Sequence, residues 1–260
     1  MSQERDSQEP RELRLACVDT STFTESIALV EGVRLIGERA QFRAKGHASG
    51  LHQDLDQLLK EAGWALEELD GFVCGLGPGS FTGMRVGLAA FKGLAYALGR
   101  PLCGVPTPRA LLAGLRPGAL ALIDARRGEV YAEGPQLEAP RCLKPEALIE
   151  LLAEEPPPLL IGEGALRFEA LFKEAWPQVQ IPQAAAHMPR ASLLAPAALE
   201  QLTAERSGSL SQLAELARLE PIYVRPSDAE INYPDGFPSE SRLFGKPKTQ
   251  ALSPEERSDG

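Results

Sequence analysis

Four glycines fall within nine residues at Gly75-Leu76-Gly77-Pro78-Gly79-Ser80-Phe81-Thr82-Gly83. The block sits between an apolar run, DGFVC (70–74), and a stretch of small and apolar residues, TGMRVGLAAFKGLAYALG (82–99). Few folds accommodate that order. It reads as a buried strand, a tight glycine turn and then a helix that stops at Gly99 with Pro101 beyond. Gly77 and Gly79 permit positive φ and a close approach of backbone to whatever faces them. Ser80 and Thr82 are each placed to cap the helix, whose positive end favours an anion. The block is neither a Walker loop, since Gly-Lys-Ser and Gly-Lys-Thr are absent, nor Gly-x-Gly-x-x-Gly, since the third glycine would fall at Ser80. Two readings therefore stand side by side: a phosphate cradle, or a tight turn with a cap.

The same layout occurs twice. LRLACVDTS (13–21) and SIALVEG (26–32) form an expected hairpin, with a third apolar strand expected at 33–42. ALALIDARRGEVYAEG (119–134) repeats the order strand, Asp, turn, strand, and PPPLLIGEGALRFEALFKEAW (156–176) repeats strand, Gly-x-Gly turn, helix. Leu51, Leu55, Leu58, Leu59 and Ala62 share one helical face, and Gly63 supplies a stop. LKPEALIELLAEE (143–155) and residues 192–206 read as further helices, and Glu220–Arg225 as a packed extended segment. Two mixed α/β lobes are expected, at 12–108 and 109–232, joined through a stretch rich in proline and glycine (101–117). A charged leader (1–11) and a polar, proline-containing tail (233–260) are expected to stay unstructured.

Composition narrows the function. Basic residues number 27 against 36 acidic, a net charge of −9, which disfavours direct nucleic-acid binding through the chain's own phosphate contacts. Cys17, Cys74, Cys103 and Cys142 are far apart with no Cys-x-x-Cys, and no run is long enough for a membrane span. The expectation is a reduced, cytoplasmic, soluble protein with no membrane partner.

Asp19-Thr20-Ser21-Thr22 closes the first strand. A carboxylate followed by hydroxyls and free backbone N–H groups suits a metal-bound phosphate, although the same residues are ordinary turn formers. Asp19, Thr20, Ser21, Gly77, Gly79, Ser80 and Thr82 are thus candidate nucleotide or phosphate contacts. His47, His52 and His187 are the three histidines, and none lies four residues from another, so a helical zinc pair is absent. Ser80 is not in a Gly-x-Ser-x-Gly elbow, which leaves a serine hydrolase without support. Gly83, Gly87 and Ala90 form a small-residue stripe on the second helix that continues near Gly93, Leu94 and Ala97. Each interior glycine costs a helix about 1 kcal/mol relative to alanine, so close packing is expected, within the chain or across an interface.

At GLGPGSFTGMRVG (75–87) the sequence resembles the bacterial TsaB family, also called YeaZ. The resemblance continues through VDTST (18–22), HQDLDQLL (52–59), IDARRGEVY (123–131) and EPIYVRPSDAE (220–230). It implies a duplicated actin-like/Hsp70-like (ASKHA, RNase H-like) fold of two lobes. It also implies a part in threonylcarbamoylation of adenosine 37 in tRNAs that read ANN codons. In that pathway a catalytic paralogue, TsaD, carries a metal-binding His-x-x-x-His pair and performs the transfer. The TsaB family supplies its dimerisation subunit, and an ATPase, TsaE, joins them. The resemblance therefore implies a non-catalytic chain that requires no cofactor. ATP would be bound weakly or within the complex, tRNA would be met mainly through the complex, and the chain alone would pair with itself. The expected partner face comprises His52, Leu55, Leu58, Leu59, Phe81, Met84, Gly87 and Phe91, with Gly87→Leu expected to break pairing and leave the monomer folded. Two other readings remain at this point. One is an ATP-dependent phosphotransferase of the actin-like superfamily using Asp19, Asp124 and Gly162-Glu163-Gly164. The other is an M22-type, glycoprotease-like peptidase.

Overall fold

The structure, a computed structural model, describes residues 11–42, 50–204 and 216–224. Residues 1–10 of the leader, His47, the end of the helix expected at 192–206 and the whole 233–260 tail lie outside them. Arg11, assigned to the leader, is described, and its guanidinium grips both oxygens of Asp70 at 2.7 and 2.8 Å.

The apolar runs become two sheets. β1 (Arg14–Asp19), β2 (Thr24–Glu31), β3 (Arg34–Phe42), β4 (Gly71–Gly75) and β5 (Leu102–Val105) form the first, in the order β3-β2-β1-β4-β5. β6 (Ala119–Arg126), β7 (Glu129–Glu133), β8 (Arg141–Leu143) and β9 (Leu159–Ile161) form the second, in the order β8-β7-β6-β9. In each sheet the first strand pairs antiparallel with its hairpin partner and parallel with the strand that precedes a glycine turn. The repeat legible in the sequence is thus a repeat of topology, and the α/β plan is the duplicated actin-like one.

β1 carries LACV without polar alternation because both faces of its sheet are covered. Ala16 and Val18 turn toward α1 (Leu51–Ala62) and α2 (Phe81–Leu98), where Phe72 and Phe91 meet edge to face with centroids 5.4 Å apart. Leu15 and Cys17 point the opposite way, as the pleat requires. They pack under Ala191, Leu194, Ala198 and Leu202 of a 3-10 turn (Ala191–Leu194) and the helix that continues from it, residues 195–204. The last described segments therefore return to the first sheet, and Leu216, Leu219 and Ile222 join the α1–α2 side of its core.

Helix ends follow the sequence. Gly63 and Gly99 are left-handed C-caps with φ of 68° and 61°, and Ser80 caps α2 by accepting from the Gly83 N–H at 3.2 Å. The proline- and glycine-rich stretch is more than a connector. It forms β5 and then α3 (Thr107–Leu112), whose Ala110 and Leu111 are buried. In the second lobe, α4 (Pro145–Leu151) precedes β9, and the helix expected after Gly162 comes as two pieces, α5 (Glu163–Arg167) and α6 (Glu169–Ala175). The residue range 195–204 is α7.

Candidate functional site

The glycine turn and the Asp19 turn meet at the ends of β1 and β4, and each glycine faces the chain itself. A Cβ on Gly79 would lie 2.1 Å from the Ser21 carbonyl oxygen, and one on Gly83 would lie 2.0 Å from that of Thr20. A Cβ on Gly87 would lie 2.3 Å from Thr20 Oγ1, and one on Gly75 would lie 2.1 Å from Asp19 Oδ2. Gly77 adopts φ of +83°, which a side chain rarely tolerates. The Ser80 N–H donates to the Ser21 carbonyl at 2.5 Å, and Thr20 Oγ1 donates to the Gly83 carbonyl at 2.7 Å. The spaces left by the missing side chains are occupied by residues 19–21, so the turn works as a socket for its own hairpin.

Asp19 is fully buried, and its carboxylate is engaged on both oxygens. Oδ1 accepts from Ser21 N–H at 2.8 Å and from Ser21 Oγ at 2.6 Å; Oδ2 accepts from Thr107 Oγ1 at 2.7 Å. Burial raises its pKa, and the donors from Ser21 and Thr107 oppose that rise. Thr107, which the sequence reading passed over, also accepts from the Gly77 N–H at 3.1 Å. It therefore ties β1, the glycine turn and α3 together. The available signal was a hydroxyl between two prolines directly after the short apolar run LCGV. Thr107→Val leaves a buried carboxylate oxygen and a buried N–H without this partner. We expect a loss of about 2–3 kcal/mol in thermal or urea unfolding, largely restored by Thr107→Ser.

The second sheet holds the counterpart. Asp124 accepts from the Arg126 N–H at 2.9 Å and from Arg167 Nη1 at 2.5 Å. Cβ atoms on Gly162 and Gly164 would meet the Leu122 carbonyl oxygen at 2.2 and 2.9 Å, so this Gly-x-Gly turn also packs on its own strand. Between the two sheets' hairpins, the Arg126 guanidinium lies 3.8 Å from the centroid of the Phe23 ring. Glu163, at the start of α5, is pushed up to about 7 by burial first and then by the charge of Asp124. Arg126 and the backbone N–H of Phe23 pull it down, and Asp19 adds to the rise. A carboxyl that binds its proton more tightly in the folded chain lends stability at low pH that is lost as pH rises to its folded pKa. We expect stability to fall by about 2–3 kcal/mol between roughly pH 4.5 and 7 from this group and to level off above. Glu163→Gln should remove that slope in a pH series of urea melts.

The expected partner face divides. Leu55, Leu58, Leu59, Met84, Gly87 and Phe91 are buried within the chain, because the apolar side of each helix is the side that covers the sheet. Gly87 is required by Thr20, so Gly87→Leu would disrupt the monomer as well, contrary to the expectation above. His52 is exposed and Phe81 half-buried. The side of α2 turned to solvent instead carries Thr82, Arg85, Ala89, Gly93, Tyr96 and Ala97. Tyr96 is 68% exposed, and a Cβ on Gly93 would meet nothing within 4 Å among the described residues.

Among the described residues, no group of three His, Cys, Asp or Glu side chains is placed to hold a metal ion, and no helix is long and apolar enough to cross a membrane.

Comparison with known proteins adds the lineage. The family model described as "TsaD: tRNA N6-adenosine threonylcarbamoyltransferase" matches residues 41–233. The tRNA threonylcarbamoyladenosine biosynthesis protein TsaB of Bacillus subtilis is 28% identical over 234 residues, covering 85% of this chain and 98% of that protein. TsaB of Escherichia coli is 29% identical, covering 82% and 95%. A Pseudomonas aeruginosa crystal structure, described as an uncharacterized protein with similarity to peptidase YEAZ, superposes with a TM-score of 0.64 at 25% identity. It covers 82% of this chain and 100% of its own. With the duplicated topology, the glycine socket and matches that run nearly end to end along its relatives, the chain belongs to the TsaB (YeaZ) family, within the wider family that the TsaD model describes.

Proposed function

We propose that this chain works in tRNA threonylcarbamoyladenosine biosynthesis as a non-catalytic dimerisation subunit. It pairs with a TsaD-type paralogue, which performs the transfer to adenosine 37 of tRNAs reading ANN codons. The observation that carries this reading is the solvent side of α2. Gly93 lies inside a helix, is exposed, and has no neighbour among the described residues that needs its missing Cβ. An interior glycine costs a helix about 1 kcal/mol, and a second helix lying close against Ala89, Gly93 and Ala97 would recover it.

Two features support the non-catalytic part. Asp19, the residue best suited to a metal-bound phosphate, already accepts three hydrogen bonds from Ser21 and Thr107. The histidine pair expected of the catalytic paralogue is missing from the sequence. On this reading the chain needs no cofactor of its own, and ATP is handled within the complex, by a TsaE-type ATPase. The tRNA is met mainly through the paralogue, and in its absence the same face of α2 pairs two copies of this chain. The place of work is the cytoplasm.

Titration of the purified chain into a purified TsaD-type paralogue, followed by calorimetry and by size-exclusion chromatography, tests the pairing. A one-to-one complex is expected. Two proteins that elute separately at micromolar concentration would remove the proposal.

A further inference from the structure

α2 carries two charged side chains, Arg85 and Lys92, and both are basic in a chain where acids outnumber bases. They are seven residues apart, two turns of helix, and so lie on one side of it. Alongside runs the segment 217–223, and together they bound an open cleft of about 390 Å³ whose lining includes the apolar Leu88, Leu219 and Pro221.

Arg85 is held in place. Its guanidinium lies 3.7 Å from the centroid of the Phe81 ring, and its Nε donates to the Tyr223 hydroxyl at 2.9 Å. Tyr223 in turn packs on Phe81, with ring centroids 5.1 Å apart. One edge of the guanidinium is thereby spent, while both terminal nitrogens have no partner among the described residues. Among the described residues Lys92 reaches only the Ala217 carbonyl, at 3.4 Å. Among the described residues no carboxylate pairs with either cation; Glu220, which also lines the cleft, is not within ion-pair distance of them. An arginine fork that is already oriented loses little freedom on meeting a carboxylate.

We propose that this cleft receives an acidic side chain, Asp or Glu, of the partner subunit, its carboxylate clasped by Arg85 and flanked by Lys92. The proposal rests on the pairing reading above, because the cleft opens beside Ala89 on the same solvent side of α2. A protein partner is favoured over an RNA phosphate by the apolar lining of the cleft, Leu88, Leu219 and Pro221. The clasp would also set the register of the paired helices, a task that small residues alone perform poorly.

The test compares wild type, Lys92→Glu and the double variant Arg85→Glu/Lys92→Glu in calorimetric titrations against the TsaD-type paralogue at low and moderate salt. Lys92→Glu keeps the Arg85–Tyr223 packing, so it reads the charge without disturbing the segment 217–223. The expected results are roughly 10-fold weaker pairing for Lys92→Glu and about 30-fold or more for the double variant, together with loss of the wild type's salt dependence. Arg85→Lys, which keeps charge but not the fork, should fall between wild type and the double variant. Wild-type affinity in the charge-reversed variants, with Gly93→Leu still weakening pairing, would overturn the clasp and leave the pairing intact. Absence of pairing by the wild type would overturn both. Normal pairing with weakened tRNA retention in a gel shift would overturn the acidic partner in favour of an RNA phosphate.

Discussion

Gly83→Val is expected to cost the chain about 3 kcal/mol or more, seen as a drop of roughly 10 °C in Tm. The first added carbon would lie 2.0 Å from the Thr20 carbonyl oxygen, a backbone atom of β1's own turn that cannot swing aside. Relief requires lifting the first turn of α2 off the hairpin. That movement breaks the Thr20 Oγ1 bond to the Gly83 carbonyl and loosens the Ser80 N–H bond to the Ser21 carbonyl. Met84, Leu88 and Phe91 would be drawn from the core with it. Gly93→Ala on the same helix is the matched control. Nothing crowds its Cβ, so helix propensity alone should make it neutral or more stable by up to about 1 kcal/mol. Equal melting of Gly83→Val and wild type in differential scanning calorimetry would contradict the socket.

Gly93→Leu separates folding from pairing. In the monomer the new side chain enters solvent beside Tyr96 and Ala97, and Tm should stay within a degree or two of wild type. Against a closely seated helix the same side chain has nowhere to go. Overpacking a fitted contact costs about 1–3 kcal/mol, so affinity for the TsaD-type paralogue should fall about 10- to 100-fold. The pair of results matters more than either alone. A stable monomer with lost pairing identifies α2's solvent side as the contact, and a stable monomer that pairs at wild-type affinity places the contact elsewhere.

Much of the fold is legible locally. The spacing of Leu51, Leu55, Leu58 and Leu59 with Gly63 after them gives α1 to the residue, because amphipathic period and cap are both short-range signals. The glycine block marks a strand, a turn and a helix for the same reason. What those glycines face is not local: Gly79, Gly83 and Gly87 answer to Thr20 and Ser21, about sixty residues upstream, and no period in the sequence records that meeting. Thr107 escaped because β5 is a four-residue strand hidden among prolines, too short to show alternation. Most of the residues expected at the partner face are core residues, for a physical reason. Apolar side chains on an amphipathic helix point to the chain's own core, so Leu55, Leu58 and Phe91 lie in the hydrophobic core of the monomer. The proposed helix-to-helix contact rests instead on what is small and exposed, Ala89, Gly93 and Ala97.

The socket, the engaged Asp19 and the open side of α2 are the observations behind the proposal that the chemistry of this chain's pathway resides in a partner. That is tested most directly by reconstitution. Threonylcarbamoyl adenylate and unmodified tRNA would be supplied to the TsaD-type paralogue with its TsaE-type ATPase, with this chain present, absent, or alone. The account predicts labelled threonine in tRNA when the chain and the paralogue are together, little when the chain is left out, and none from the chain by itself. Modified tRNA formed by this chain without the paralogue would contradict it.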